Sequence, residues 1–143
     1  MRLLKLLDQG GREMKPKVLI VDDDAAITQQ LFWTLCDVYE VMTAGDLASA
    51  IRRTTIYEPA VALLDLHLPP TPDAPDSGIR ILEYIKGHFP TAKVFVISSA
   101  TTDEVQKACI RSGADGFLSK PLDVENLLSI VRRSTLARQL DAA

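Results

Sequence analysis

Residues 18–27 read VLIVDDDAAI: four unbroken apolar residues, three aspartates, then the start of a helical pattern. A short apolar run without alternation suits a strand buried on both faces of a parallel sheet. Aspartates at its carboxyl end stand where open α/β sheets bind their ligands. Asp24, directly before Ala25-Ala26-Ile27, also has the chemistry of a helix N-cap.

The same grammar repeats downstream. Further strand runs are YEVMTA (39–44), AVALL (60–64), KVFVIS (93–98) and GFLS (116–119). Between and after them, helical periodicity covers 25–36, 46–53, 79–87, 102–112 and 123–137. It gathers Ile27, Leu31 and Leu35; Leu47, Ala50 and Ile51; Ile79, Leu82 and Ile85; and Leu127, Ile130 and Val131 on single stripes. Gly113 is placed as a helix C-cap and Asp123 as an N-cap. Five strands alternating with five helices predict an α/β fold, a doubly wound parallel sheet with right-handed crossovers. The irregular connection, LPPTPDAPDS at 68–77, holds four prolines and is expected to be loop throughout.

At 143 residues the chain is sized for one core. Residues 17–137 are read as the domain, 1–16 as an N-terminal tail, and 138–143 as a C-terminal tail or the start of a linker. Met14 opens MKPKVLIVDDD, so residues 1–13 are expected to be dispensable for stability. A net charge of -3 argues against a nucleic-acid-binding face. No apolar run approaches the ~20 residues that span a bilayer. Lys5 interrupts the leucines of MRLLKLLDQGG and no cleavage site follows, so no signal peptide is expected. The expectation is a cytoplasmic protein without membrane contact. Cys36 and Cys109 lie in apolar helical stretches without a CxxC spacing and read as reduced core thiols.

The strand ends carry the chemistry. Strand 1 ends in Asp22, Asp23 and Asp24, strand 3 in Asp65, strand 4 in Ser98 and Ser99, strand 5 in Lys120-Pro121. Strand 2, ending Thr43-Ala44-Gly45, adds nothing evident. Taken singly, these residues are cap or turn chemistry; together they converge on one sheet edge. Two carboxylates at 4 Å repel by about 4 kcal/mol at an effective dielectric of 20, and a divalent cation removes that penalty. An all-oxygen donor set suits Mg²⁺ better than Zn²⁺. A carboxylate beside such an ion can attack a phosphoryl group and become an aspartyl phosphate. A lysine and a hydroxyl then stabilise the charge on the phosphate oxygens.

VLIVDDDAAI, LLDLHLP, VFVISSA and GADGFLSKP, in that order and spacing, resemble the response regulator receiver family over residues 17 to 137. The resemblance implies a flavodoxin-like, five-stranded sheet in the order 2-1-3-4-5, and phosphorylation by a histidine kinase or phosphotransfer protein. It implies Asp65 as phosphoacceptor and Asp22 and Asp23 as the acidic pair holding Mg²⁺, with the backbone carbonyl of His67 completing the metal site. Lys120 matches the phosphate-binding lysine. Ser98, 33 residues after Asp65 and 22 before Lys120, matches the switch hydroxyl, with Ser99 as the alternative. Phe117 matches the switch aromatic, which remodels the face of helix 4, strand 5 and helix 5 and supports a phosphorylation-dependent homodimer. Gly78 matches a glycine that stands closer to the phosphoacceptor in the family, so the loop after Asp65 is long. That loop and VRRSTLARQLDAA are similar to receivers fused to sigma-54-type transcription activators.

Three other readings compete. A degenerate receiver would lack part of the set Asp22, Asp23, Asp65, Ser98 and Lys120. A phosphohydrolase with an aspartate nucleophile would want an acid where His67 stands; a general-base role for His67 requires reach to the attacking water. A flavin site would want a glycine- and hydroxyl-rich loop where three aspartates stand. His88, beside Phe89-Pro90, reads as a cap or surface residue.

Overall fold

The structure, a computed structural model, describes residues 15–99 and 101–141. Among them run the strands β1 (Lys17–Val21), β2 (Glu40–Ala44), β3 (Val61–Asp65), β4 (Lys93–Ser98) and β5 (Gly116–Ser119). The helices are α1 (Ala25–Leu35), α2 (Leu47–Tyr57), α3 (Asp76–His88), α4 (Asp103–Arg111) and α5 (Val124–Asp141). All strand pairs are parallel, in the order β2-β1-β3-β4-β5, the flavodoxin-like arrangement.

Two apolar layers explain why the strands carry no alternation. On one face Leu19, Val21, Leu64, Val94 and Val96 meet Ala50, Ile81, Leu82, Ile85 and Cys109 from α2, α3 and α4. On the other, Val18, Ile20, Leu63 and Ile97 meet Leu31 and Leu35 of α1 and Leu127 and Val131 of α5. Every residue of β3 is buried. Both faces of the central strands are covered, so both sets of side chains must be apolar.

The helix starts fix the loops around the strand ends. Asp24 caps α1, its carboxylate accepting from the N–H groups of Ala26 and Ile27. Asp46 and Ser49 form a reciprocal capping box on α2. Asp123 accepts from the Asn126 N–H at 3.2 Å at the start of α5.

Several boundaries differ from the sequence expectations. α2 runs on to Tyr57 rather than 53, and α5 to Asp141 rather than 137. The 68–77 segment is not loop throughout, because α3 already begins at Asp76. Its four prolines all lie ahead of the helix, and Pro75 supplies no side-chain cap. The Thr71 hydroxyl accepts from the Ser77 N–H at 3.2 Å instead and shares a 2.7 Å hydrogen bond with the Ser77 hydroxyl. The Pro69 carbonyl accepts from the Leu47 N–H, tying the loop to the first turn of α2. Cys109 is buried as expected, whereas Cys36 is half-buried; it sits at the C-cap of α1, one residue past the buried Leu35.

Candidate functional site

Asp22 is the most constrained member of the acidic cluster. Its N–H donates to the Ala44 carbonyl at 3.0 Å, so β2, which offers no side chain here, sets its backbone. One carboxylate oxygen accepts from the Asp24 N–H at 2.9 Å. The other lies 3.0 Å from the Lys120 ammonium. Asp23 is exposed, and Asp24 is committed to capping α1.

Asp65 ends β3, buried like the strand before it. Its Oδ1 accepts from the His67 N–H at 3.2 Å, and its Oδ2 lies 3.5 Å from Lys120 Nζ. Burial pushes its carboxyl above the usual carboxylate range; the His67 N–H works against this, and the negative charge of Asp22 adds to it. For Lys120, burial disfavours the ammonium, but the hydrogen bond and charge of Asp22 with the charge of Asp65 outweigh it, and its pKa is raised. Lys120 therefore stays charged between two carboxylates.

Carboxylate oxygens of Asp22, Asp23 and Asp65 lie within 4.8 Å of one another. That donor set holds neither sulfur nor imidazole, which fits a hard divalent cation. Ser98 closes β4, and its carbonyl accepts from the Lys120 N–H at 3.0 Å. Ser99 lies beyond the strand and is exposed. Phe117, in register with Val96, is half-buried against the layer of α2, α3 and α4. His88 is an exposed residue at the end of α3, stacked on Tyr84.

One contributor carries no signal in a residue-type reading: the Ala44 carbonyl acts through backbone alone. Gly78, singled out by the family resemblance, donates its N–H to the Leu66 carbonyl at 3.0 Å and lets α3 pack directly on the chain after Asp65.

Paired acids, a central aspartate and a lysine thus gather at the carboxyl edge of a five-stranded doubly wound sheet, the arrangement expected of a phosphoacceptor signalling domain. Residues 18–132 match the family model of the response regulator receiver domain. The chain belongs to that family. It is 34% identical over 129 residues to the transcriptional regulatory protein KdpE of Mycobacterium tuberculosis, covering 87% of this chain and 54% of KdpE. It is 30% identical over 119 residues to the oxygen regulatory protein NreC of Staphylococcus aureus, covering 81% of this chain and 53% of NreC. The chain thus spans about half the length of these relatives. A CheY-like receiver domain structure from Methanospirillum hungatei superposes with a TM-score of 0.80 at 25% identity, over 90% of this chain and 99% of that one. The beryllofluoride-activated DrrB receiver domain gives 0.75 at 28% identity, over 85% of this chain and 98% of that one. Among the described residues, no helix is long and apolar enough to cross a membrane.

Proposed function

We propose that this receiver domain accepts a phosphoryl group on Asp65 from a histidine kinase or phosphotransfer protein, in the cytoplasm. The observation that carries the assignment is Lys120 Nζ placed 3.0 Å from Asp22 and 3.5 Å from Asp65, where β1, β3 and β5 end. Asp22, Asp23 and Asp65 would hold Mg²⁺, with the His67 carbonyl as a further oxygen donor. When bound, the ion offsets the repulsion of the carboxylates and draws charge from the phosphoryl oxygens.

The remaining chemistry belongs to the chain. An Asp65 oxygen would form the new P–O bond as the P–N bond of a phosphohistidine breaks, the electron pair staying on the imidazole nitrogen. Lys120 would follow the charge from carboxylate to phosphoryl oxygen, and the Ser98 hydroxyl would take a second oxygen. Such a domain catalyses only its own phosphorylation and dephosphorylation. Acetyl phosphate with Mg²⁺ is expected to add one phosphoryl group to the wild type and none to Asp65→Asn, read by intact mass. Equal labelling of both overturns the assignment and favours a domain that acts only as a docking module.

A further inference from the structure

Beside the turn that joins α1 to β2, the surface opens into an apolar groove of about 360 Å³. It is lined by Val38 and Tyr39 on one side and Glu125, Leu128, Ser129 and Arg132 of α5 on the other. Val38 is 62% exposed and Leu128 37%, while Tyr39 of the same lining belongs to the buried cluster of Leu35 and Leu127. The chain enters the domain at this same place. Lys15 donates its ammonium to the Cys36 carbonyl at 3.2 Å, and the Pro16 carbonyl accepts from the Glu40 N–H at 2.9 Å. Lys15 and Pro16 thus lie beside the α1–β2 turn that carries Val38 and Tyr39.

We propose that the leucine segment of residues 3–7 docks in the groove between the α1–β2 turn and α5 of its own chain. Leu3, Leu4, Leu6 and Leu7 supply apolar surface of the kind the groove leaves open. From Leu7 to Lys15 the chain can extend up to roughly 26 Å at ~3.3 Å per residue, and Gly10-Gly11 lets it turn back. The charges match: Lys5 and Asp8 on the segment against Glu125 and Arg132 in the groove. Tethering gives the segment an effective concentration in the millimolar range, which a separate partner does not have. On this reading residues 1–13 are not dispensable.

The test compares the full chain with a chain starting at Met14, by thermal melting and by hydrogen exchange. Truncation is expected to lower Tm by about 3 °C or more and to speed exchange severalfold in Val38–Glu40 and Glu125–Arg132. Leu128→Ala and Val38→Ser should each cost more in the full chain than in the truncated one, as coupled residues do. Leu4→Ser with Leu6→Ser in the full chain should reproduce the truncation. Unchanged Tm and exchange overturn the proposal. So does a shift that both groove variants leave intact, which places the segment elsewhere. A shift that disappears on tenfold dilution overturns it too, because the segment then occupies a second copy.

Discussion

Gly78 in α3 lies so close to Leu66 that a Cβ on it would stand 2.2 Å from the Leu66 Cα and 2.7 Å from its carbonyl oxygen. Both neighbours are backbone, so no side-chain rotation relieves the clash. Leu66 follows Asp65 directly, and any shift there moves the end of β3. Gly78→Ala is expected to cost about 1–3 kcal/mol as an overpacked site and to slow phosphorylation. Gly87, in the same helix, has nothing within 4 Å of its would-be Cβ. Gly87→Ala should be neutral or stabilise by up to ~1 kcal/mol on helix propensity. Urea unfolding of the two variants checks both signs; equal effects would mean that α3 does not pack on Leu66 as described.

Lys120 holds apart two carboxylates that would otherwise face each other with little water. Without divalent metal, Lys120→Ala should therefore destabilise the fold by about 3 kcal/mol, the lower end for breaking a buried pair, because the ammonium is partly exposed. Asp65→Asn added to that variant should restore part of the loss by removing one negative charge. Unfolding of the four proteins in EDTA measures the coupling, and strict additivity would show that the contacts contribute nothing.

Asp22 and Asp23 differ in how they can be altered. Asp22 is buried and bonded to Lys120 and to the Asp24 N–H, whereas Asp23 is exposed. Asp23→Ala is expected to weaken Mg²⁺ binding at least ~10-fold, about 1.4 kcal/mol, with Tm unchanged. Calorimetric titration with Mg²⁺ alone reads the first quantity and metal-free melting the second.

Asp46 gives a pH dependence whose sign can be worked out. The Ser49 side chain and N–H both bond it and hold its carboxyl below the ordinary value of 3.8. A depressed acid contributes stability that is present above its unfolded pKa and lost as pH falls through the lower folded one. Asn caps a helix about as well but does not titrate. Asp46→Asn should melt below the wild type near neutral pH, and the gap should close as pH drops below about 3.8. Being exposed, the effect should also shrink in salt.

Strand number, helix number and the positions of Asp22, Asp65 and Lys120 at strand ends were legible, because parallel strands buried twice read as unbroken apolar runs. The start of α3 was not. Its signal is Thr71, a hydroxyl six residues before the Ser77 N–H it caps, across two prolines, Pro72 and Pro75, that argue locally for loop. The Ala44 carbonyl that seats Asp22 was invisible because every residue has one. The contact between Lys120 and Asp22 spans 98 residues. No periodicity encodes it, and it emerges only when strand ends are placed on a common edge. The half-burial of Cys36 was missed because Cys36 is the C-cap of α1 and lies off the Ile27, Leu31 and Leu35 stripe.

The β4–β5 register gives a route by which phosphorylation of Asp65 would be sensed at the surface. Ser98 pairs with Ser119, and Phe117 with Val96, in the β4–β5 register. Side chains two residues apart on a strand share a face, so Ser98 and Phe117 lie on the same side of adjacent strands. A Ser98 hydroxyl drawn to a phosphate on Asp65 would vacate space on the face where Phe117 packs. Phe117 is only half-buried, packed against the layer of α2, α3 and α4. The change would be read on the face of α4, β5 and α5 as a phosphorylation-tightened homodimer. One phosphate shifts a two-state equilibrium only by its differential interaction, typically about 1–3 kcal/mol, so the coupling should be partial. Light scattering with and without beryllofluoride and Mg²⁺ is expected to show a mass increase on activation in the wild type and a reduced one in Phe117→Ala. Equal masses in both states rule out dimerisation as the output. Full dimerisation of Phe117→Ala makes the aromatic a packing residue rather than the switch.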